Sequence, residues 1–86
     1  MKDLFLFTFD SNPDLEAWRK DNSFRLAKYS ITRREYGFPS GVVFMLRVVN
    51  SPDDVDRLAG LQFTGLFLHQ NIDIELATRL QLQERA

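Results

Sequence analysis

The sequence predicts a mixed α/β (or α+β) fold: a small mixed sheet of about four strands with two or three helices. Three observations predict it. Leu4–Phe9 is an unbroken apolar run closed by Asp10-Ser11-Asn12-Pro13, the pattern of a strand covered on both faces. Residues 25–49 hold alternating and β-branched runs on either side of Gly37-Phe38-Pro39-Ser40-Gly41, which has the turn chemistry of a hairpin. Three further segments begin with a capping residue, carry an acid in the first turn and hold apolar residues at helical spacing. The predicted order is β-α-β-β-(short α)-β-α within one domain.

The first helix is expected over residues 13–20. Asn12 reads as its N-cap, Pro13 as its first residue and Asp14 as the first-turn acid. Leu15 and Trp18, three apart, share the face that packs on the sheet. Asp21-Asn22-Ser23 stops it. Residues 25–36 alternate, with Ala27, Tyr29 and Ile31 on one face and Lys28, Ser30, Thr32 and Arg34 on the other. This predicts a single strand with one wet face, near an edge. Residues 42–49 are the strongest β segment and pair with it antiparallel.

Ser51-Pro52-Asp53-Asp54 starts a short helix: Ser51 caps, Pro52 opens the first turn and Asp54 stands in for the capping-box carboxylate. Val55 and Leu58 face inward, and Gly60 suits the left-handed residue that follows a helix. Residues 63–68 read as a second buried strand, parallel to the first. Asp73 caps the last helix, to about Glu84, with Leu76, Ala77 and Leu80 as its apolar stripe and Leu82 to one side.

Composition excludes several function classes. At 44% hydrophobic and 13% aromatic the chain is a globular protein, not a disordered one. The absence of cysteine removes disulfide scaffolds and thiolate zinc sites. A net charge of −1 gives no global field toward nucleic acid or membrane. The apolar run near the N-terminus is too short to span a bilayer and lacks a signal-peptide cleavage pattern, so a cytoplasmic protein is expected. A chain of 86 residues buries roughly 60–65% of its unfolded surface, so added stability from a partner matters.

Residues 50–70, NSPDDVDRLAGLQFTGLFLHQ, resemble the approach to the Walker B strand of large terminases, the ATPases that package viral DNA. Ser40-Gly41 stands at the hairpin turn, Asp53-Asp54 and Arg57-Leu58-Ala59-Gly60 at the middle phrase, and Phe63-Thr64-Gly65 just before Leu66-Phe67-Leu68. The close match covers about a third of the chain; the element order matches more loosely from Leu4 to Arg79. The strand of those ATPases ends in Asp-Glu, for Mg²⁺ and for the attacking water. Here His69-Gln70 occupies that degenerate Walker B position. Mg²⁺ prefers carboxylate oxygen to imidazole, and Gln70 cannot act as a base. Nor does any G-x-x-x-x-G-K-[ST] phosphate loop occur. The resemblance therefore implies an ATPase-like fold without ATPase chemistry, and no catalytic, cofactor-binding or metal-ligating residue is predicted. It further implies a phage or prophage protein in a bacterial host cell, binding packaging machinery or inhibiting a host protein, with a homodimer as one way to cover its open surface.

The alternative is a nucleic-acid module on the 25–47 hairpin. Arg25, Lys28, Arg33, Arg34 and Arg47 would supply cations for phosphates, and Tyr36 and Phe38 would stack on bases. The structural reading of the same residues is a solvated edge strand guarded by charge. For His69 it is a polar strand terminus, and for Asp53, Asp54 and Asp56 it is favourable placement at a helix start.

Overall fold

A computed structural model of the chain describes residues 3–22 and 24–84. The architecture is mixed α/β: a five-stranded sheet with helices on both faces. The elements are β1 (Leu4–Phe9), α1 (Asn12–Asp21), β2 (Lys28–Ser30), β3 (Glu35–Gly37), β4 (Val43–Val48), α2 (Pro52–Arg57), β5 (Gly65–Leu68) and α3 (Ile74–Glu84). The strand order is β2-β3-β4-β1-β5. β1 lies between β4 and β5 and is parallel to both; β3 is antiparallel to β4 and β2 to β3.

Alternation along β1 builds two different cores. Leu6 points to an aliphatic layer with Val49, Val55, Leu58, Leu76 and Leu80, closed by α2 and α3. Phe7 and Phe9 point to an aromatic layer with Leu15, Tyr36 and Leu46, against which Trp18, Phe24 and Phe44 pack. Thr8 is buried among apolar residues, and its hydroxyl donates to the Phe67 carbonyl at 3.2 Å, tying β5 to β1.

The predicted strand over residues 25–36 is two strands, so the sheet has five strands rather than four. Residues 31–34 form a turn, with Arg34 at φ 54°. The Arg34 N–H donates to the Ser30 carbonyl at 2.7 Å and the Arg33 N–H to the Ser30 hydroxyl at 3.2 Å, closing the turn locally, and contacts across the sheet hold it. The Arg34 carbonyl accepts from the Leu46 N–H at 2.9 Å, and Arg47 Nη1 donates to the carbonyls of Arg33, Arg34 and Leu46. Ile31, expected beside Tyr29, is consequently exposed in that turn. The Gly37–Gly41 reversal is as predicted: Gly41 takes φ 94° and donates to the Phe38 carbonyl.

Residues 63–68 also differ from expectation. The strand is shorter, Gly65–Leu68, and forms an edge of the sheet instead of a buried strand. Phe67 is half exposed on it. A short apolar run does not distinguish a central strand from an edge strand; the lateral position is set by which strands pair.

Caps shift by a residue or exchange roles. Ser11, not Asn12, caps α1, its hydroxyl accepting from the Asp14 N–H at 3.3 Å. Asn22 closes α1 by donating its N–H and its side-chain amide to the Trp18 carbonyl; Ser23 lies outside the described residues. At α2 the Ser51 hydroxyl makes no cap bond to the backbone. Asp54 instead accepts from the Asn50 N–H at 3.1 Å and from the Ser51 hydroxyl at 3.2 Å. Gly60 supplies the left-handed residue, φ 85°, after that helix. Asp73 caps α3 as expected, accepting from the N–H groups of Glu75 and Leu76. No helix among the described residues is long and apolar enough to cross a membrane.

Candidate functional site

Helix placement decides where clefts form. α1, which follows β1, packs on the aromatic face; α2 and α3, which follow β4 and β5, pack on the aliphatic face. On either side of β1 the chain therefore leaves neighbouring strands in opposite directions. Such divergence opens crevices at the carboxyl ends of the strands. Two clefts lie there.

The first, about 360 Å³, sits at the ends of β1 and β5 and is lined by Phe7, Phe9, Trp18, Phe67, His69 and Gln70, among others. Its walls are aromatic. Phe67 stacks on Phe7 with centroids 4.4 Å apart and planes 8° apart, and Trp18 lies 5.0 Å from Phe7. The mouth is polar. His69 is half-buried 5.4 Å from the Phe9 ring, and its Nδ1 accepts from the Asn71 N–H at 3.3 Å. Asp14 Oδ2 lies 3.9 Å from the same nitrogen and accepts from the Asn71 amide at 3.4 Å. Gln70 is exposed. His69 and Gln70 thus border a hydrophobic crevice, with His69 engaged by its own loop.

Beyond this cleft β5 presents its free edge. His69 N–H bonds to the Thr8 carbonyl, so the alternation of a parallel ladder turns the N–H and C=O groups of Leu66 and Leu68 away from β1. Among the described residues no strand pairs with that side. β5 carries no Lys or Pro, the residues that usually guard an edge. Gly65 belongs to this surface for a packing reason: a Cβ there would sit 2.8 Å from the Phe5 ring. The opposite edge, β2, is three residues long, starts with the exposed Lys28, and has the Arg19 guanidinium 4.9 Å from the centre of the Tyr29 ring. The Glu16 hydrogen bond to Arg19 raises the Arg19 pKa above its ordinary value.

The second cleft, about 470 Å³, lies at the end of β4 and is lined by Arg34, Arg47, Val48, Asn50, Asp54, Arg57 and Leu58. It gathers only part of the predicted basic face. Arg34 and Arg47 line it, with the Arg33 carbonyl bound to Arg47. Arg25 is exposed in the loop before β2 and Lys28 lies on β2; neither lines the cleft. Tyr36 is buried and Phe38 half-buried in the aromatic core, so neither shares a surface with these arginines. Arg57, outside the predicted basic face, joins them from α2. Burial lowers the Arg47 pKa from its ordinary value, and Glu35 opposes that shift from 3.9 Å.

Among the described residues no three His, Asp or Glu side chains converge as metal ligands would. No family model, curated protein or solved structure matches the chain.

Proposed function

We propose that this chain acts without catalysis, by accepting an extended apolar segment of another protein along the edge of β5. The open β5 edge beside an aromatic crevice is the observation behind the reading. The outward backbone groups of Leu66 and Leu68 alternate as an added strand requires. Phe67, half exposed, and the crevice beside it offer a seat for one apolar side chain of that strand. The edge has no charged gatekeeper, which favours an uncharged, extended occupant.

The terminase resemblance supports a phage or prophage origin, with packaging machinery or a host protein as the source of the segment. His69 and Gln70 support the non-catalytic part, since neither supplies a carboxylate for Mg²⁺ or a base for water.

Selection of a random peptide library on the purified chain tests the reading. Enriched peptides carry an aromatic or aliphatic residue in an extended context. They bind Phe67→Asp at least about tenfold more weakly. They also slow hydrogen exchange of the Leu66 and Leu68 amides. Peptides indifferent to Phe67→Asp, or exchange unchanged along β5, overturn it. A stable dimer lost in the same variant reassigns the edge to a second copy of the chain.

A further inference from the structure

We propose that the cleft at the carboxyl end of β4 is a phosphoryl-binding site, in which Arg34 and Arg57 contact the anion and Arg47 positions Arg34. Three guanidiniums from three separate elements line this cleft: the 31–34 turn, β4 and α2. One carboxylate, Asp54, lines it with them. That carboxylate is already engaged, because Asp54 Oδ2 accepts from the Asn50 N–H and the Ser51 hydroxyl. Its other oxygen lies 3.9 Å from Arg57 Nη1, longer than a charge-assisted hydrogen bond. Arg57 is four-fifths exposed, so its fork is free to reorient. The Arg34 hydrogen bond, to Asn12 Oδ1, is 3.5 Å and at the limit of such a contact.

Arg47 is different. Its Nη1 is fixed by three main-chain carbonyls, and its Nη2 lies 3.9 Å from Glu35. It holds the 31–34 turn, and with it the left-handed backbone of Arg34, at the rim of the cleft. A non-glycine residue with positive φ is uncommon and is kept where surrounding bonds impose it. Arg47 also adds a partly desolvated positive charge that Glu35, at 3.9 Å, offsets only in part, leaving room for an anion in the cleft to offset the rest. Planar guanidinium forks pair bidentately with carboxylate and phosphate oxygens alike, but a phosphoryl group has enough oxygens to engage two forks at once. The volume exceeds that of one inorganic phosphate, so a larger phosphorylated molecule or a nucleic-acid backbone would also fit.

The site is remote in role from the β5 edge, and its test reads different residues. The full chain is titrated with pyrophosphate and, separately, with a short oligothymidylate, following arginine side-chain N–H resonances by NMR at low ionic strength. Saturable shifts at Arg34 and Arg57, with Arg25 and Arg79 unmoved, are expected. Arg34→Gln and Arg57→Gln, both exposed and remote from the cores, each weaken binding about tenfold or more. Arg47→Gln is left out of the comparison because losing the turn would disturb the fold. If pyrophosphate and the oligonucleotide compete for the two arginines, the shared group is the phosphoryl. Binding by the oligonucleotide alone, lost in both variants, assigns the site to a nucleic-acid backbone. Non-saturating shifts, shifts equal at all arginines, or unchanged affinity in both variants overturn the proposal.

Discussion

The two faces of β1 are built from different chemistry and closed to different degrees. On the aliphatic side Leu6, Val49 and Leu80 are fully buried, and two helices cover the strands from β4 to β5. On the aromatic side a single helix contacts β1 and β4, while Phe67 on β5 remains half exposed. Aliphatic side chains close-pack under helices and leave few gaps. Large rings settle into edge and offset contacts with one another, and at the margin of the helix they stay partly open to solvent. Both faces therefore hold fully buried side chains, Phe9, Leu15 and Leu46 on the aromatic one, but the apolar surface left open lies at the β5 margin of the aromatic face.

The largest effect that separates the faces is on stability. Leu6→Ala removes a fully buried side chain from the centre of the aliphatic layer and should cost about 2–5 kcal/mol. Phe67→Ala removes a larger side chain but from a half-exposed site, and should cost less than that, about 1–2 kcal/mol. Urea denaturation of both variants measures the pair. Equal losses would mean that Phe67 is held as firmly as the buried layer, and the contrast between the closed face and the open margin would fail.

How much of this was legible in the sequence follows the range of the forces involved. β1, α1, α3 and the Gly37–Gly41 reversal are specified locally, by apolar runs, caps and glycine, and were readable. The turn at 31–34 was not. Ile31 and Thr32 favour a strand; Ser30 closes the turn through its carbonyl and hydroxyl, and Leu46 and Arg47 hold it from across the sheet. The edge position of β5 was equally hidden, because Gly65–Leu68 reads as apolar whether or not a further strand lies beside it. Of the predicted basic face, only Arg34 and Arg47 line one cleft; Arg25 and Lys28 lie away from it, and Tyr36 and Phe38 pack into the aromatic core. Arg57 is brought in only by the path from β4 through α2. The position of His69 at a strand end was legible; the aromatic crevice beside it depends on Trp18 from a distant segment.

A smaller effect probes how tightly the open part of the aromatic face is packed. Gly65→Ala places a methyl group 2.8 Å from the Phe5 ring, which lies in ring contact with Phe44 and Phe67. The ring must move, and the variant should lose about 1 kcal/mol, the lower chain entropy of alanine offsetting part of the strain. Phe5→Leu in the same chain should recover most of the added loss, seen as a coupling energy in a double-mutant cycle. No coupling would mean that the rings at β5 are loosely held and that the crevice reshapes freely.

The smallest effect at neutral pH lies at the closed end of the same face, and it appears only in alkali. Burial raises the Tyr36 hydroxyl above its ordinary pKa of about 10, with Arg19 opposing and Tyr29 adding to the shift. The folded chain then keeps a proton that the unfolded chain releases first. Below the ordinary value both states are protonated and the stability is fully present. As pH rises past it the unfolded state ionises, and stability falls until the folded state ionises too. Tyr36→Phe should flatten this alkaline loss in denaturation curves taken across that range, whereas Tyr29→Phe, on the partly exposed edge strand, should leave most of it. An unchanged slope in Tyr36→Phe would show that water reaches the hydroxyl, so that the aromatic face is open along its whole length and not at β5 alone.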